Sequence, residues 1–177
     1  MTRVLRLAIG SVAMACLVLG LKLLAWWLTG SVALLADALE SVVNVAAAAA
    51  ALVAVGYSAI PPDANHPYGH AKAEYFSAVL EGVLIVVAAV AILREAWGAF
   101  LAPHAPDQPV LGLLISAFAT ACNFGWATLL QREGRAARSP ALLADARHLM
   151  ADVVTSLGVL AGVAAVAATG RLWLDPL

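Results

Sequence analysis

The chain has 177 residues, 63% hydrophobic and 12% charged, with a formal net charge of -1 and a mean hydropathy of +0.92. A water-soluble domain of this size needs a polar shell that such a composition cannot supply, so the sequence reads as an integral membrane protein. The balanced charge offers no basic surface to a phosphate backbone, which argues against nucleic acid as a partner.

Five apolar stretches reach the roughly 20 residues needed to cross a bilayer, at 7–28, 31–56, 74–101, 110–131 and 140–169. They predict an all-α antiparallel transmembrane bundle. The first follows Arg3 and Arg6 and ends at Trp26-Trp27. It is too long for a signal-peptide core and lacks a small-residue cleavage site, so it reads as a retained span with an aromatic anchor. Lys22, toward its outer end, is expected to snorkel to the interface. Cys16 and Cys122 have no Cys-x-x-Cys spacing and read as small core hydrophobes.

Thr29-Gly30 makes a tight link to the second span, which carries Asp37, Glu40 and Asn44. The next link, 57–73, contains Pro61-Pro62 and then Asp63, His66 and His70 at D-x-x-H-x-x-x-H spacing. By spacing alone these fit either a metal site or an ordinary polar loop. Glu81 in the third span is expected to face the bundle and make a structural hydrogen bond, with a proton relay as the alternative. The link 102–109 holds three prolines and His104, which has no assigned role. The link 131–139 carries Arg132, Arg135 and Arg138. The fifth span holds Asp145, His148, Asp152 and a Gly158-x-x-x-Gly162 pattern that permits close helix contact. The last residues, Arg171 to Leu177, read as the interfacial start of a further helix, so the chain is expected to be truncated there.

Arg3, Arg6, Lys72, Arg132, Arg135 and Arg138 fall on one side of this topology. By the positive-inside rule that side, with the N-terminus and the 57–73 and 131–139 links, is cytoplasmic.

One segment occurs twice. Leu34-Leu35-Ala36-Asp37-Ala38 returns as Leu142-Leu143-Ala144-Asp145-Ala146. The copies continue as Asp-x-x-Glu-x-x-x-Asn and Asp-x-x-His-x-x-x-Asp, which puts the polar groups of each on one helix face. Ionisable groups inside a bilayer are expensive and are retained for function. A hydrogen-bonded polar seam between helices is the competing explanation, but three ionisable groups beside one Asn suit it poorly. Glu40, Asn44, His148 and Asp152 are therefore candidate ligands for a divalent metal near the midplane, with Glu40 level with Asp152 and Asn44 with His148. Imidazole and carboxylate suit Zn²⁺, Fe²⁺ or Mn²⁺. Asp37 and Asp145, one turn before the ligands, could orient them or relay protons.

Three separated stretches resemble the cation diffusion facilitator family, near its bacterial zinc and ferrous-iron efflux members. These are Leu21 to Ala36, His66-Pro67-Tyr68-Gly69-His70-Ala71-Lys72-Ala73-Glu74, and His148-x-x-x-Asp152 followed by Val153-Val154-Thr155-Ser156. The resemblance implies a six-helix membrane domain followed by a cytoplasmic metal-binding domain. It also implies a homodimer in the inner (plasma) membrane that exchanges a divalent metal for protons. Zinc is the expected metal, with iron, manganese, cobalt or cadmium as alternatives. The resemblance maps the transport site onto Glu40, Asn44, His148 and Asp152, and a second site onto Asp63, His66 and His70. Family members usually carry Asp or His at the Glu40 position and Asp at the Asn44 position, so this site holds one carboxylate fewer. The rival reading is an inactive or regulatory membrane fragment that binds metal or pairs with a full-length partner. A membrane metallohydrolase is disfavoured, since no His-Glu-x-x-His motif is present.

Overall fold

The computed structural model describes residues 3–101 and 108–171. Among them are five helices and no strand: α1 (Arg3–Thr29), α2 (Val32–Ser58), α3 (Ala73–Leu101), α4 (Pro109–Ala137) and α5 (Pro140–Thr169). All five are long and apolar enough to cross a membrane. At 1.5 Å per residue each spans roughly 40–45 Å, more than the ~30 Å hydrocarbon core, so their ends reach the headgroups.

The turns follow from local chemistry. Gly30 (φ 64°) adopts the left-handed conformation that lets α1 reverse into α2 within two residues. The hydroxyls of Ser31 and Ser139 accept the backbone N–H of Leu34 and Leu142, capping α2 and α5. Helix α4 continues past the apolar stretch to Ala137, so the predicted 131–139 link is almost wholly helical. Gln131, Arg132, Glu133 and Arg135 are good helix formers once outside the hydrocarbon. The reversal is confined to Arg138, in the left-handed region at φ 52°, and Ser139.

Helices α1, α2, α5 and α4 form a ring in which each packs on the next, and α3 lies outside it against α2 and α5. The ring is closed by small residues. Ala8, Ala51, Val55, Ala127, Leu130, Leu142, Ala146 and Leu149 fill one end. Ala25, Ala33, Leu34 and Val163 fill the other. Alanine lets the backbones approach closely, as packing without a hydrophobic driving force requires. Cys16 lies on the outside of the bundle and not in its core, which corrects the reading of it as a core residue. Gly158 is exposed on the outside of the bundle, where an added Cβ would meet nothing, so it makes no close helix contact. His104 and the terminal segment 172–177 lie outside the described residues.

Candidate metal centre

Between the two apolar clusters the ring is polar. Carboxylate oxygens of Asp37, Glu40 and Asp152 all lie within 4.8 Å of one another, an arrangement able to hold a metal ion. Asp152 is completely buried. It accepts hydrogen bonds at Oδ1 from the Asn44 amide at 3.0 Å and at Oδ2 from the Asn123 amide at 2.5 Å. Glu40 accepts from Thr155 Oγ1 at 3.0 Å. Asp37 accepts from Ser156 at 2.6 Å and from Ser116 at 3.2 Å.

The register differs from the expected one by about a turn. Asn44 is level with Asp152, and Glu40 with Thr155. His148 therefore sits a turn nearer the α5 N-terminus, on the Asp152 face, and is not part of the three-carboxylate cluster. It is buried, and its Nε2 has no hydrogen-bond partner; the Oδ1 atoms of Asn44 and Asn123 are likewise buried and unpartnered. Such atoms carry a desolvation cost unless something fills them. An acceptor oxygen and an imidazole nitrogen left open in the same spans as the carboxylates match the donor preferences of a borderline divalent metal.

Two contributors escaped sequence reasoning. Lys22 does not snorkel: its side chain is fully buried. Its Nζ donates to Asp37 Oδ1 at 2.8 Å, to Asp152 at 3.0 and 2.9 Å, and to Ser156 Oγ at 3.0 Å. Seven residues short of the α1 C-terminus, the ammonium finds counter-charge inward at a distance where reaching water requires its full length. Asn123, from α4, completes the ring. Its signal was an amide in the middle of an apolar span, a feature that marks function by default.

Asp145 lies apart from this group. Its carboxylate contacts the Ser11 hydroxyl, which also accepts from Trp126 Nε1 at 2.9 Å. Asp145 Oδ2 and the buried Glu81 Oε1 have no hydrogen-bond partner, so the structural hydrogen bond expected at that Glu81 oxygen is absent. At the end of the bundle that bears Lys72 and the arginines, Glu74 accepts from Ser58 at 3.1 Å and from Ser139. Arg3 pairs with Glu133 across 2.8 Å at the same end.

The loop before α3 holds the second cluster. Asp63, His66 and His70 each offer a ligand atom within 4.8 Å of the others. Asp63 Oδ1 accepts the backbone N–H of Asn65 and His66 at 2.9 and 2.7 Å and faces His66 Nδ1 at 3.1 Å. The His66 backbone bond leads the contributions that hold the Asp63 carboxyl below its ordinary range. His70 Nδ1 lies 3.3 Å from the Ile60 carbonyl. A carbonyl only accepts, so the proton is on Nδ1, which leaves Nε2, 3.5 Å from Asp63 Oδ2, as the nitrogen with a lone pair to offer. Gly69 (φ 79°) supplies the bend that turns His70 back onto Asp63.

Residues 8–177 match the cation efflux transmembrane domain, and the chain belongs to that family, the cation diffusion facilitators. It is 49% identical over 170 residues to an uncharacterized transporter of Synechocystis sp., covering 96% of this chain and 55% of that protein. It is 33% identical over 159 residues to the cation-efflux pump FieF of Escherichia fergusonii, covering 90% of this chain and 53% of the pump. The FieF pump of Citrobacter koseri is also 33% identical, over 155 residues and 52% of its length. The chain thus spans about half the length of the relatives it matches.

Proposed function

We propose that this chain forms the transmembrane part of a transporter that exports a divalent transition metal, zinc foremost, from the cytoplasm in exchange for protons. The observation that carries the reading is a donor set inside the spans, buried except at half-buried Glu40. Glu40 and Asp152 supply carboxylates, Asn44, bonded to Asp152 through its nitrogen, keeps an unpartnered Oδ1, and His148 Nε2 is unpartnered a turn nearer the α5 N-terminus. Asp37 touches the same cluster and Asp145 lies inward of it, positions suited to orienting ligands or passing protons.

The work is alternating access. With the site open to the cytoplasm, metal binding displaces protons from His148 and the carboxylates. Opening outward to a proton-rich side reverses the exchange. The Asp63, His66 and His70 cluster is a second metal site on the cytoplasmic face. On this reading the protein works in the inner membrane as a homodimer, with its N-terminus inside, which the positive-inside distribution of Lys and Arg supports.

Proteoliposome uptake of Zn²⁺, Fe²⁺, Mn²⁺, Co²⁺ and Cd²⁺ tests this. The wild type should take up Zn²⁺ and alkalinise the lumen in step with the flux, because protons leave as the metal enters. Asp152→Asn and Glu40→Gln should abolish both signals. Undiminished flux in Asp152→Asn overturns the assignment.

A further inference from the structure

Lys22 is the charged group that metal transport does not by itself require. We infer that the Lys22 ammonium is a tethered cation that occupies the carboxylates of the unloaded site, and that an arriving divalent metal displaces it from Asp152. The inference rests on the transport-site reading above.

The geometry is specific. Asp152 accepts from Lys22 at both oxygens, from Asn44 at Oδ1 and from Asn123 at Oδ2. A carboxylate has about four lone-pair sites, so Asp152 is saturated and cannot ligate a metal until a donor leaves. The Asn44 amide can turn over and present its open Oδ1 to a metal. The ammonium has no acceptor to present, and a dication a few ångströms from it is repelled in this low-dielectric setting.

Lys22 also has somewhere to go. Its Nζ is already 2.8 Å from Asp37 Oδ1, and Asp37 is held by Ser116 and Ser156. The flexible four-carbon stem can release Asp152 and keep Asp37. When metal departs, the ammonium returns. The empty carrier then never exposes bare carboxylates to a dry interior, a state that removing one partner of a buried pair makes costly. A permanent pin between α1, α2 and α5 is the structural alternative. The two differ in sign, because a pin supports the site and a tethered cation competes with its cargo.

The test is calorimetric Zn²⁺ titration of the detergent-solubilised chain, with His66→Ala and His70→Ala as background to silence the loop cluster. Lys22→Met should tighten Zn²⁺ binding at least about tenfold, and Lys22→Arg should not tighten it. Equal or weaker binding by a folded Lys22→Met overturns the inference and leaves the pin. Should Lys22→Met fold only with Zn²⁺ present, the metal is replacing the ammonium, as inferred. Should it not fold at all, Lys22→Met/Asp37→Asn is compared with Asp37→Asn alone, and the same tightening is required. Asp152→Asn separates the two readings. If it leaves Zn²⁺ binding intact, the transport site itself is wrong; if it abolishes binding while Lys22→Met does not tighten it, only the tethered cation is lost.

Discussion

At the residue scale, Asn44 shows how one atom divides two states. Its amide nitrogen now serves Asp152 at 3.0 Å while its oxygen is unpartnered. Asn44→Asp exchanges that donor for a further carboxylate, beside the three of Asp37, Glu40 and Asp152. The metal-free protein should lose about 1–3 kcal/mol, while Zn²⁺ binding should tighten by about a kcal/mol or more. Opposite signs in denaturation and titration check both halves. Asp63 gives a pH dependence. Its carboxyl is depressed by the His66 and Asn65 backbone bonds, so the stability it lends the loop is full above the ordinary aspartate range and is lost as pH falls through the lower folded value. The amide resonances of Asn65 and His66 should keep their folded positions below pH ~4 and collapse only in stronger acid; in Asp63→Asn the collapse should be absent. The facing of Asp37, Glu40 and Asn44 on α2 was legible because helical spacing alone fixes it. The inward turn of Lys22 was not. A lone cation near a helix end has two outlets, and only the placement of α2 and α5 shows which is nearer.

At the scale of elements, helix existence and order were legible from apolar length, and the ends were not. Apolar content stops at Gln131, but the α4 backbone needs no apolar side chains to continue through Arg135. The register between α2 and α5 was also beyond sequence. Counting residues from predicted ends carries their error into the pairing, and a one-turn error hands Asp152 from Glu40 to Asn44. Two contacts hold the elements in the observed register. Gly112 on α4 has no room for a Cβ, which would strike Thr29 and approach Leu34 Cδ1 to 3.2 Å. Gly112→Ala should therefore separate α4 from the α1–α2 turn and cost about 1–3 kcal/mol, seen as earlier denaturation in detergent. Ser139 both caps α5 and meets Glu74 on α3. Ser139→Ala should cost about 1 kcal/mol through the cap, with Ser139→Asp failing to restore it because a second carboxylate would face Glu74.

At the scale of the molecule, the positively charged ends of α1 and α4 are joined by Arg3 and Glu133, and Glu74 gathers α2, α3 and α5 beside them. A cysteine at Lys72 or Arg135 should accordingly label from the cytoplasmic side, and one at Arg171 only from outside; the reverse pattern would invert the direction of transport. The repeated Leu-Leu-Ala-Asp-Ala segments start α2 and α5, each behind a serine cap. Because α2 and α5 run in opposite senses, the same word is read once from each face of the membrane. Its two aspartates have nonetheless met different company: Asp37 holds an ammonium at 2.8 Å, and Asp145 keeps an oxygen that nothing among the described residues answers. Aspartate to asparagine is thus two unlike experiments in one spelling. At Asp37 it strips Lys22 of half its counter-charge and should cost about 3 kcal/mol. At Asp145 it replaces a buried carboxyl that pairs with no cation among the described residues, and the fold should stand as firmly as before or more so.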